Sequence, residues 1–232
     1  MSDEQTRLKQ QAADVAVDEV RSGMTLGLGY GSTALLFVRS LAKKVASGEL
    51  KDLTCVACAL AMEDEARSLG LPVSSLDQHS VMDLTVDGAD EVDPALNLIK
   101  GGGGALLREK VVAQASKREI IIVDDSKLSD HLGDKWALPV EVVPFALRPV
   151  SEYVSSLGAE VKLRLVEGGD PLVTDQGNWI IDCNFGPMED PAAVARSLEG
   201  RAGLVDHGLF LGLASEVIVA GAGGVRRISR TA

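Results

Sequence analysis

The sequence is poor in the residues that build disulfide frameworks and metal sites. It has 3 cysteines and 3 histidines among 232 residues, too few for a disulfide scaffold, so we expect a reducing compartment, the cytoplasm. The histidines are scattered without an H-E-x-x-H or H-x-H pair, so we expect no metal site. Cys55 and Cys58 form a C-x-x-C pair, but on a predicted strand this spacing places them on opposite faces, which disfavours a redox or zinc role.

Long apolar runs and an excess of positive charge are also absent. No apolar run approaches the roughly 18 residues of a membrane helix, and the polar N-terminus lacks the pattern of a signal peptide. Acidic residues number 34 against 23 lysines and arginines, for a formal net charge of -11. This charge disfavours nucleic acid and anionic membranes as partners. Hydrophobic residues at 46% and charged residues at 25% predict a globular chain.

Predicted strands alternate with predicted helices through residues 1–136. Ser2 is a candidate cap for a first helix, and MTLGLG reads as a strand that is followed by a glycine turn and a long amphipathic helix. KDLTCVACA, DLTV and REIIIV read as further strands, separated by helical segments. This alternation predicts a doubly wound, mostly parallel, Rossmann-like α/β sheet.

The pattern changes over residues 137–210, where the predicted elements follow the order β-α-β-β-α-β. This order is typical of a ferredoxin-like α+β domain, and turn signals such as EGGD and DQG fall where its connections need them. We therefore expect a small domain inserted into the first. Residues 211–232 contain one more predicted strand, which we expect to return to the first sheet.

Four unusual loops follow predicted parallel strands, where ligands of open α/β sheets collect. The first, GLGYGST over residues 27–33, offers backbone N–H groups, two hydroxyls and a helix N-terminus, which favours phosphate binding. Its glycine spacing matches neither a dinucleotide fingerprint nor a Walker-A loop. An ordinary turn with Ser32 as the helix cap is the alternative.

The second loop, DGADE, contains three carboxylates. Asp87 directly follows Val86 at a strand end, so we expect it to be partly desolvated and suited to proton transfer or to binding sugar hydroxyls. A solvated acidic turn is the alternative for Asp87, Asp90 and Glu91.

The third loop is the most specific, because Lys100 precedes four consecutive glycines and a helix that carries Glu109. Such a run costs conformational entropy, so we expect it where backbone approaches a ligand or takes positive φ. Glu109 is placed to face the glycines, and a surface residue of an R-E-K run is the alternative. The fourth loop, DDSK, brings Lys127 to the same sheet edge.

Together these loops resemble the ribose-5-phosphate isomerases of the A type. The family pattern is similar to G-x-G-T-G-S-T, D-G-A-D-E, K-G-G-G-A-A-L-x-R-E-K, D-x-S-K and P-L-P-V-E-V-x-P. This sequence has GLGYGST, DGADE, KGGGGALLREK, DDSK and ALPVEVVP in the same order, and the ferredoxin-like insertion belongs to the family too. Two departures stand out. Tyr30 stands where threonine is usual, and Gly103-Gly104 extends the triple glycine where alanine is usual.

The resemblance implies reversible interconversion of ribose 5-phosphate and ribulose 5-phosphate through an enediolate, in the non-oxidative pentose phosphate pathway. It implies no metal or organic cofactor, and a homodimer or homotetramer. Glu109 is the implied base, Lys100 and the glycine N–H groups are assigned to the enediolate, and Asp87 with Asp90 is assigned to ring opening. The implied phosphate ligands are Ser32, Thr33 and Lys127, with Lys9 or Arg7 as further candidates. The other implied substrate contacts are Tyr30, Gly31, Gly88, Ala89, Gly101, Gly102 and Gly103.

Two alternatives stay open at the level of sequence. A sugar-phosphate-sensing module without catalysis could use the same sheet and phosphate turn, but a sensor does not need Glu109. An amino-sugar-phosphate isomerase or a coenzyme A transferase could share the sheet, and the ferredoxin-like insertion argues against both.

Overall fold

The computed structural model describes residues 3–230, which divide into two compact units. The first unit comprises the chain up to Ala89, Arg108–Lys127 and the chain from Gly212, and the second comprises Asp90–Leu107 and Leu128–Leu211. The predicted cap Ser2 lies outside the described residues. No helix within residues 3–230 is long and apolar enough to cross a membrane.

Helices and strands are numbered here in chain order. The helices are α1 (Asp3–Val17), α2 (Ser32–Ala46), α3 (Leu60–Ser68), α4 (Leu106–Gln114), α5 (Leu147–Ser156) and α6 (Pro191–Leu198). The strands are β1 (Thr25–Leu28), β2 (Thr54–Ala57), β3 (Leu84–Asp87), β4 (Glu91–Val92), β5 (Leu98–Ile99), β6 (Glu119–Asp124), β7 (Leu138–Val142), β8 (Glu160–Leu163), β9 (Trp179–Asn184), β10 (Leu204–His207), β11 (Leu209–Phe210), β12 (Glu216–Gly221) and β13 (Gly224–Ser229).

The first unit is built on a six-stranded sheet of order β13-β12-β6-β3-β1-β2. Every neighbouring pair is parallel except β12 and β13, which confirms the predicted doubly wound, mostly parallel sheet. All six residues of β6 are buried, as expected of a parallel strand covered on both faces. The strand order reverses between β1 and β3, so the ligand crevice of this sheet lies beyond their carboxyl ends.

The second unit contains a four-stranded antiparallel sheet of order β10-β7-β9-β8. With α5 after β7 and α6 after β9, this order confirms the ferredoxin-like pattern. The side chains of Val140, Val150, Ile181 and Leu198 form part of its core. Pro191 opens α6, and the carboxylate of Asp190 caps it by accepting the Ala193 N–H at 2.9 Å.

The unit boundaries differ from those expected from sequence. Residues 90–107 and 128–136 group with the second unit, because β4 and β5 form a small sheet with β11. The Glu91 carboxylate also accepts the N–H groups of Gly133 at 2.9 Å and Lys135 at 3.0 Å. Glu91 is therefore a buried residue that holds the segment around Gly133 in place, and not a solvated turn residue.

The C-terminal segment contains two strands, so the expectation of a single strand was wrong. β12 and β13 pair antiparallel through a tight turn, and both join the first sheet. The turn falls at the glycines of GAGG, where Gly224 has a φ of 99°. Glycine takes this conformation without the steric cost that a side chain brings.

Candidate active site

Two buried carboxylates, Asp87 and Glu109, lie together at the strand-order reversal of the first sheet. Asp87 is the last residue of β3 and Glu109 lies in the first turn of α4, and their side chains are 1% and 5% exposed. Oxygens of the two carboxylates and the Cys58 thiol all lie within 4.8 Å of one another. A pair of buried carboxylates is the arrangement that general acid and base chemistry uses.

Backbone donors fix the orientation of Asp87. Its Oδ1 atom accepts the N–H of Tyr30 at 3.0 Å and the N–H of Gly88 at 2.7 Å. A Cβ atom at Gly29 would lie only 2.1 Å from the same oxygen. The first glycine loop therefore does more than turn the chain, since its missing side chain makes room for Asp87 and its backbone holds the carboxylate.

Cys58 is the neighbour of this pair that sequence reasoning missed. The C-x-x-C spacing drew attention to two cysteines, but Cys55 lies inside β2, where burial raises the pKa of its thiol to about 12. Cys58 follows the carboxyl end of β2, and that position after a parallel strand was the available signal. The sulfur and two carboxylates are also the side chains within residues 3–230 that are grouped closely enough to accept a metal ion.

A cationic cluster lies at the start of α2. The Nζ atom of Lys9, on α1, donates to the Ser32 hydroxyl at 2.9 Å. Burial lowers the pKa of Lys9, the Asp124 carboxylate opposes this shift, and the nearby charge of Lys127 lowers the pKa further. Lys9, Ser32 and Lys127 thus come together as a candidate phosphate site, whereas Arg7 is exposed and pairs with Glu4 at 2.6 Å.

The N-terminus of α2 contributes backbone donors to this cluster. Ser32 is the first residue of the helix, Gly31 occupies the cap position with a φ of 126°, and no side chain caps the helix. The alternative interpretation of Ser32 as the cap was therefore wrong. The first N–H groups of a helix have no partner inside the helix, so those near Ser32 and Thr33 are suited to bind an anion.

In the second unit, Lys100 is held rigidly before the glycine run. The side chain is 2% exposed and its Nζ atom lies 5.4 Å from the centroid of the Phe210 ring, within the range of a cation–π contact. The Lys100 N–H donates to the carbonyl of Gly208 at 2.9 Å. Burial and the aromatic ring leave this ammonium group little freedom.

Asp90 is a support of the glycine run. Its carboxylate accepts the N–H of Gly102 at 2.7 Å, and a Cβ atom at Gly102 would lie 2.6 Å from the Asp90 Oδ1 atom. Gly101 has a φ of 103°. The glycines are thus required by close approach and by positive φ, as the sequence predicted.

The other predicted contacts lie on the same loops. Tyr30 is partly buried and packs against a cluster that includes Cys58 and Val112. Gly88 and Ala89 continue from Asp87 and are partly exposed, and Gly103 is exposed. A residue that sequence reasoning did not anticipate is Arg164, whose Nη1 atom donates to the carbonyls of Gly101 at 2.7 Å and Gly102 at 3.1 Å.

Comparison with known proteins identifies the family. The model of the family Ribose 5-phosphate isomerase A (phosphoriboisomerase A) matches residues 54–224. The ribose-5-phosphate isomerase A of Desulfatibacillum aliphaticivorans is 54% identical over 224 residues, which is 97% of each chain. The chain belongs to the ribose 5-phosphate isomerase A family. The corresponding enzyme of Chloroflexus aurantiacus is 54% identical over 221 residues, 95% of this chain and 92% of that one.

Solved structures agree with this ribose 5-phosphate isomerase A assignment. A D-ribose-5-phosphate isomerase in complex with phospho-erythronic acid has a TM-score of 0.95 and 38% identity, and the match covers 99% of this chain and 100% of that one. Ribose 5-phosphate isomerase from Plasmodium falciparum has a TM-score of 0.94 and 38% identity, with coverage of 98% and 100%. The chain is therefore an isomerase that interconverts ribose 5-phosphate and ribulose 5-phosphate, and the sensing module is not favoured.

Proposed function

We propose that Glu109 is the base that moves a proton between C2 and C1 of the open-chain sugar. The observation that carries this assignment is the burial of Glu109 beside Asp87 at the carboxyl end of β3. Removal of the C2 proton of the aldose gives an enediolate, and return of the proton to C1, together with transfer of the O2 hydroxyl proton to O1, gives the ketose. A single carboxylate on one fixed helical turn can serve both carbons because they are adjacent.

Asp87 is proposed to open the furanose ring. Opening requires that a proton leaves the C1 hydroxyl and that a proton reaches the ring oxygen. The two backbone N–H groups on Oδ1 hold the Asp87 carboxylate in one orientation, as proton exchange with a bound sugar requires. Asp90 is proposed to act through Gly102 rather than on the sugar, because its carboxylate accepts that N–H.

Lys100 and the glycine run are proposed to stabilise the enediolate. Negative charge develops on the oxygens of C1 and C2 as the proton leaves, and preorganised donors lower the energy of that state. Support for Lys100 comes from its burial and its fixed contact with Phe210. The backbone N–H groups of Gly101 and Gly103 are the proposed companions.

The phosphate is proposed to bind Lys9, Lys127, Ser32 and Thr33 at the N-terminus of α2. Two lysines and helix N–H groups supply the local positive potential that a chain of net charge -11 otherwise lacks. The hydrogen bond between Lys9 and Ser32 supports Lys9 over Arg7 as the additional ligand.

A phosphorylated four-carbon sugar acid is proposed as a tight ligand. The similar structure named above contains phospho-erythronic acid, whose carboxylate resembles the two oxygens of an enediolate. Analogues of the reacting state bind more tightly than substrates when the protein is complementary to that state.

We also propose a homodimer or homotetramer in the cytoplasm that serves the pentose phosphate pathway, as the family implies. The cysteines are free thiols, as is usual in a reducing compartment.

Replacement of Lys100 by methionine tests the proposed chemistry. The variant keeps the aliphatic stem against Phe210 and removes the charge. We expect kcat to fall about 10²- to 10³-fold, the range for loss of one oxyanion donor, and affinity for phospho-erythronic acid to fall in parallel. Lys117→Met, at an exposed lysine paired with Asp83, is the matched control. Wild-type turnover in Lys100→Met would show that the charge plays no part in the reaction.

A further inference from the structure

We propose that Arg164 is a positioning residue that aims the N–H of Gly103 for the isomerisation. The inference rests on the proposed role of the glycine run as a cradle for the enediolate. Arg164 follows β8 in the ferredoxin-like sheet, 63 positions after Gly101 and 62 after Gly102. Asp90, the glycine run, Arg164 and Asp182 all lie within the second unit.

The guanidinium of Arg164 donates hydrogen bonds to a carboxylate on one side and to two backbone carbonyls on the other. Its Nε atom donates to the Asp182 carboxylate at 2.9 Å, and its Nη2 atom donates to the second oxygen of the same carboxylate. Its Nη1 atom reaches the carbonyls of Gly101 and Gly102. The Arg164 side chain is 13% exposed, so its planar fork is fixed by a bidentate pair in a largely buried place.

These contacts determine which way two peptide groups face. In the peptide between Gly101 and Gly102, the carbonyl is bound by Arg164 and the N–H is bound by Asp90 at 2.7 Å. In the next peptide, the Gly102 carbonyl is bound by Arg164. A trans peptide is planar, with its C=O and N–H pointing in opposite directions. The Gly103 N–H therefore points away from Arg164.

The Gly103 N–H differs from those of Gly102 and Gly104 because it has no hydrogen-bond acceptor in the described chain. The Gly102 N–H is used by Asp90, and the Gly104 N–H donates to the Gly101 carbonyl at 3.0 Å. Glycines rotate more easily than other residues, so a peptide flip in this run would be cheap without the Arg164 contacts. Arg164 thus preserves the orientation of a donor that the reaction needs.

Arg164→Lys is the first test, because lysine keeps the charge but cannot bind two carbonyls and a carboxylate in one plane. We expect kcat to fall about 10- to 100-fold, since a misplacement of about 1 Å can cost as much as 10²-fold, while KM changes less than threefold. Affinity for phospho-erythronic acid should fall by the same factor as kcat/KM. Arg148→Lys, at an exposed arginine paired with Glu152, is the matched control.

Asp182→Asn is the second test, and it leaves residue 164 as arginine. The substitution weakens the bidentate hydrogen bonds between Arg164 and residue 182. We therefore expect kcat and analogue affinity to fall by equal factors, and by less than in Arg164→Lys. Thermal unfolding of both variants separates a positioning role from a general loss of structure. Folded variants with wild-type kcat and analogue affinity would overturn the proposal, as would losses confined to KM.

Lys100→Met separates this inference from the proposed function. If Lys100→Met loses analogue affinity but Arg164→Lys does not, the cradle stands and the role of Arg164 is wrong. If neither variant loses analogue affinity, the cradle itself is wrong.

Discussion

The ammonium group of Lys9 lies 2.9 Å from the hydroxyl of Ser32, although 23 positions separate the two residues in sequence. The contact brings α1 to the N-terminus of α2 and places a buried cation beside the first glycine loop. It also explains how a strongly acidic chain can hold a phosphate, because the charge that matters is local. Lys127 adds a second cation to the same cluster.

Lys9→Met should weaken substrate binding more than it slows the chemistry. Loss of one charge-assisted hydrogen bond to phosphate costs about 1.5 to 3 kcal/mol, so we expect KM for ribose 5-phosphate to rise about 10- to 150-fold. We expect kcat to stay within a few-fold. Arg7→Met, at the exposed arginine paired with Glu4, should leave both constants unchanged. A collapse of kcat at constant KM would instead place Lys9 in the chemical step.

Removal of metal ions should not change the rate. In the proposed mechanism, Lys100 supplies the positive charge that a metal would otherwise supply to the substrate oxygens. Cys58, Asp87 and Glu109 lie within 4.8 Å of one another, but the proposed roles of the two carboxylates require their oxygens for proton transfer. Dialysis against EDTA, with dialysis against plain buffer as the control, should give equal activities. Activity that is lost with EDTA and restored by a divalent ion would contradict the account.

Glu141→Gln should stabilise the fold at neutral pH. Burial raises the pKa of Glu141, with Asp206 and Asp175 acting in the same direction against the hydrogen bonds from Asn178 and Thr174. A pKa raised in the folded state means stability that is present in acid and lost as pH rises through the folded pKa. Glutamine keeps an acceptor for both donors at 2.9 Å and removes the titration.

Thermal unfolding across pH measures this effect. The variant should melt above the wild type at pH 7, and the difference should shrink as pH falls through the raised folded pKa toward 4.5, the ordinary pKa of glutamate. Glu199→Gln, at an exposed carboxylate, should show no such pH-dependent difference. A Glu141→Gln variant that melts below the wild type at pH 7 would show that the charged form is the stabilising one.

The sequence predicted the elements whose local signals are strong. The four-residue apolar run IIIV of β6 and the glycine turns after β1 and before α4 carry information within a few neighbouring residues. The order β-α-β-β-α-β likewise follows from local patterns alone. Asp87 could be chosen because it ends a strand of the open α/β sheet, where ligands bind. Glu109 could be chosen from the glycine run before its helix and from the family resemblance, although β5, expected as a parallel strand, lies in the small antiparallel sheet.

The sequence could not predict contacts between distant residues. Arg164 reads as an ordinary strand residue, and only the fold brings it to the carbonyls of Gly101 and Gly102. Whether Lys9 or Arg7 is the further candidate phosphate ligand depended on which face of α1 is buried, and a single sequence does not show this. The observed unit boundaries differ from the expected domains because the two-residue strands β4, β5 and β11 are too short to show a periodic pattern.

The most direct test of the account is exchange of the C2 hydrogen of ribose 5-phosphate with solvent deuterium in Glu109→Gln. Glutamine keeps the size of the side chain and removes the base, so exchange and kcat should fall together by about 10²- to 10⁴-fold, the usual contribution of a general base. KM and affinity for phospho-erythronic acid should change only a few-fold, which would show that the site remains intact. Glu63→Gln, at a carboxylate paired with Arg67 on α3, should exchange at the wild-type rate. Exchange at the wild-type rate in Glu109→Gln would contradict the account and move the search for the base to Asp87.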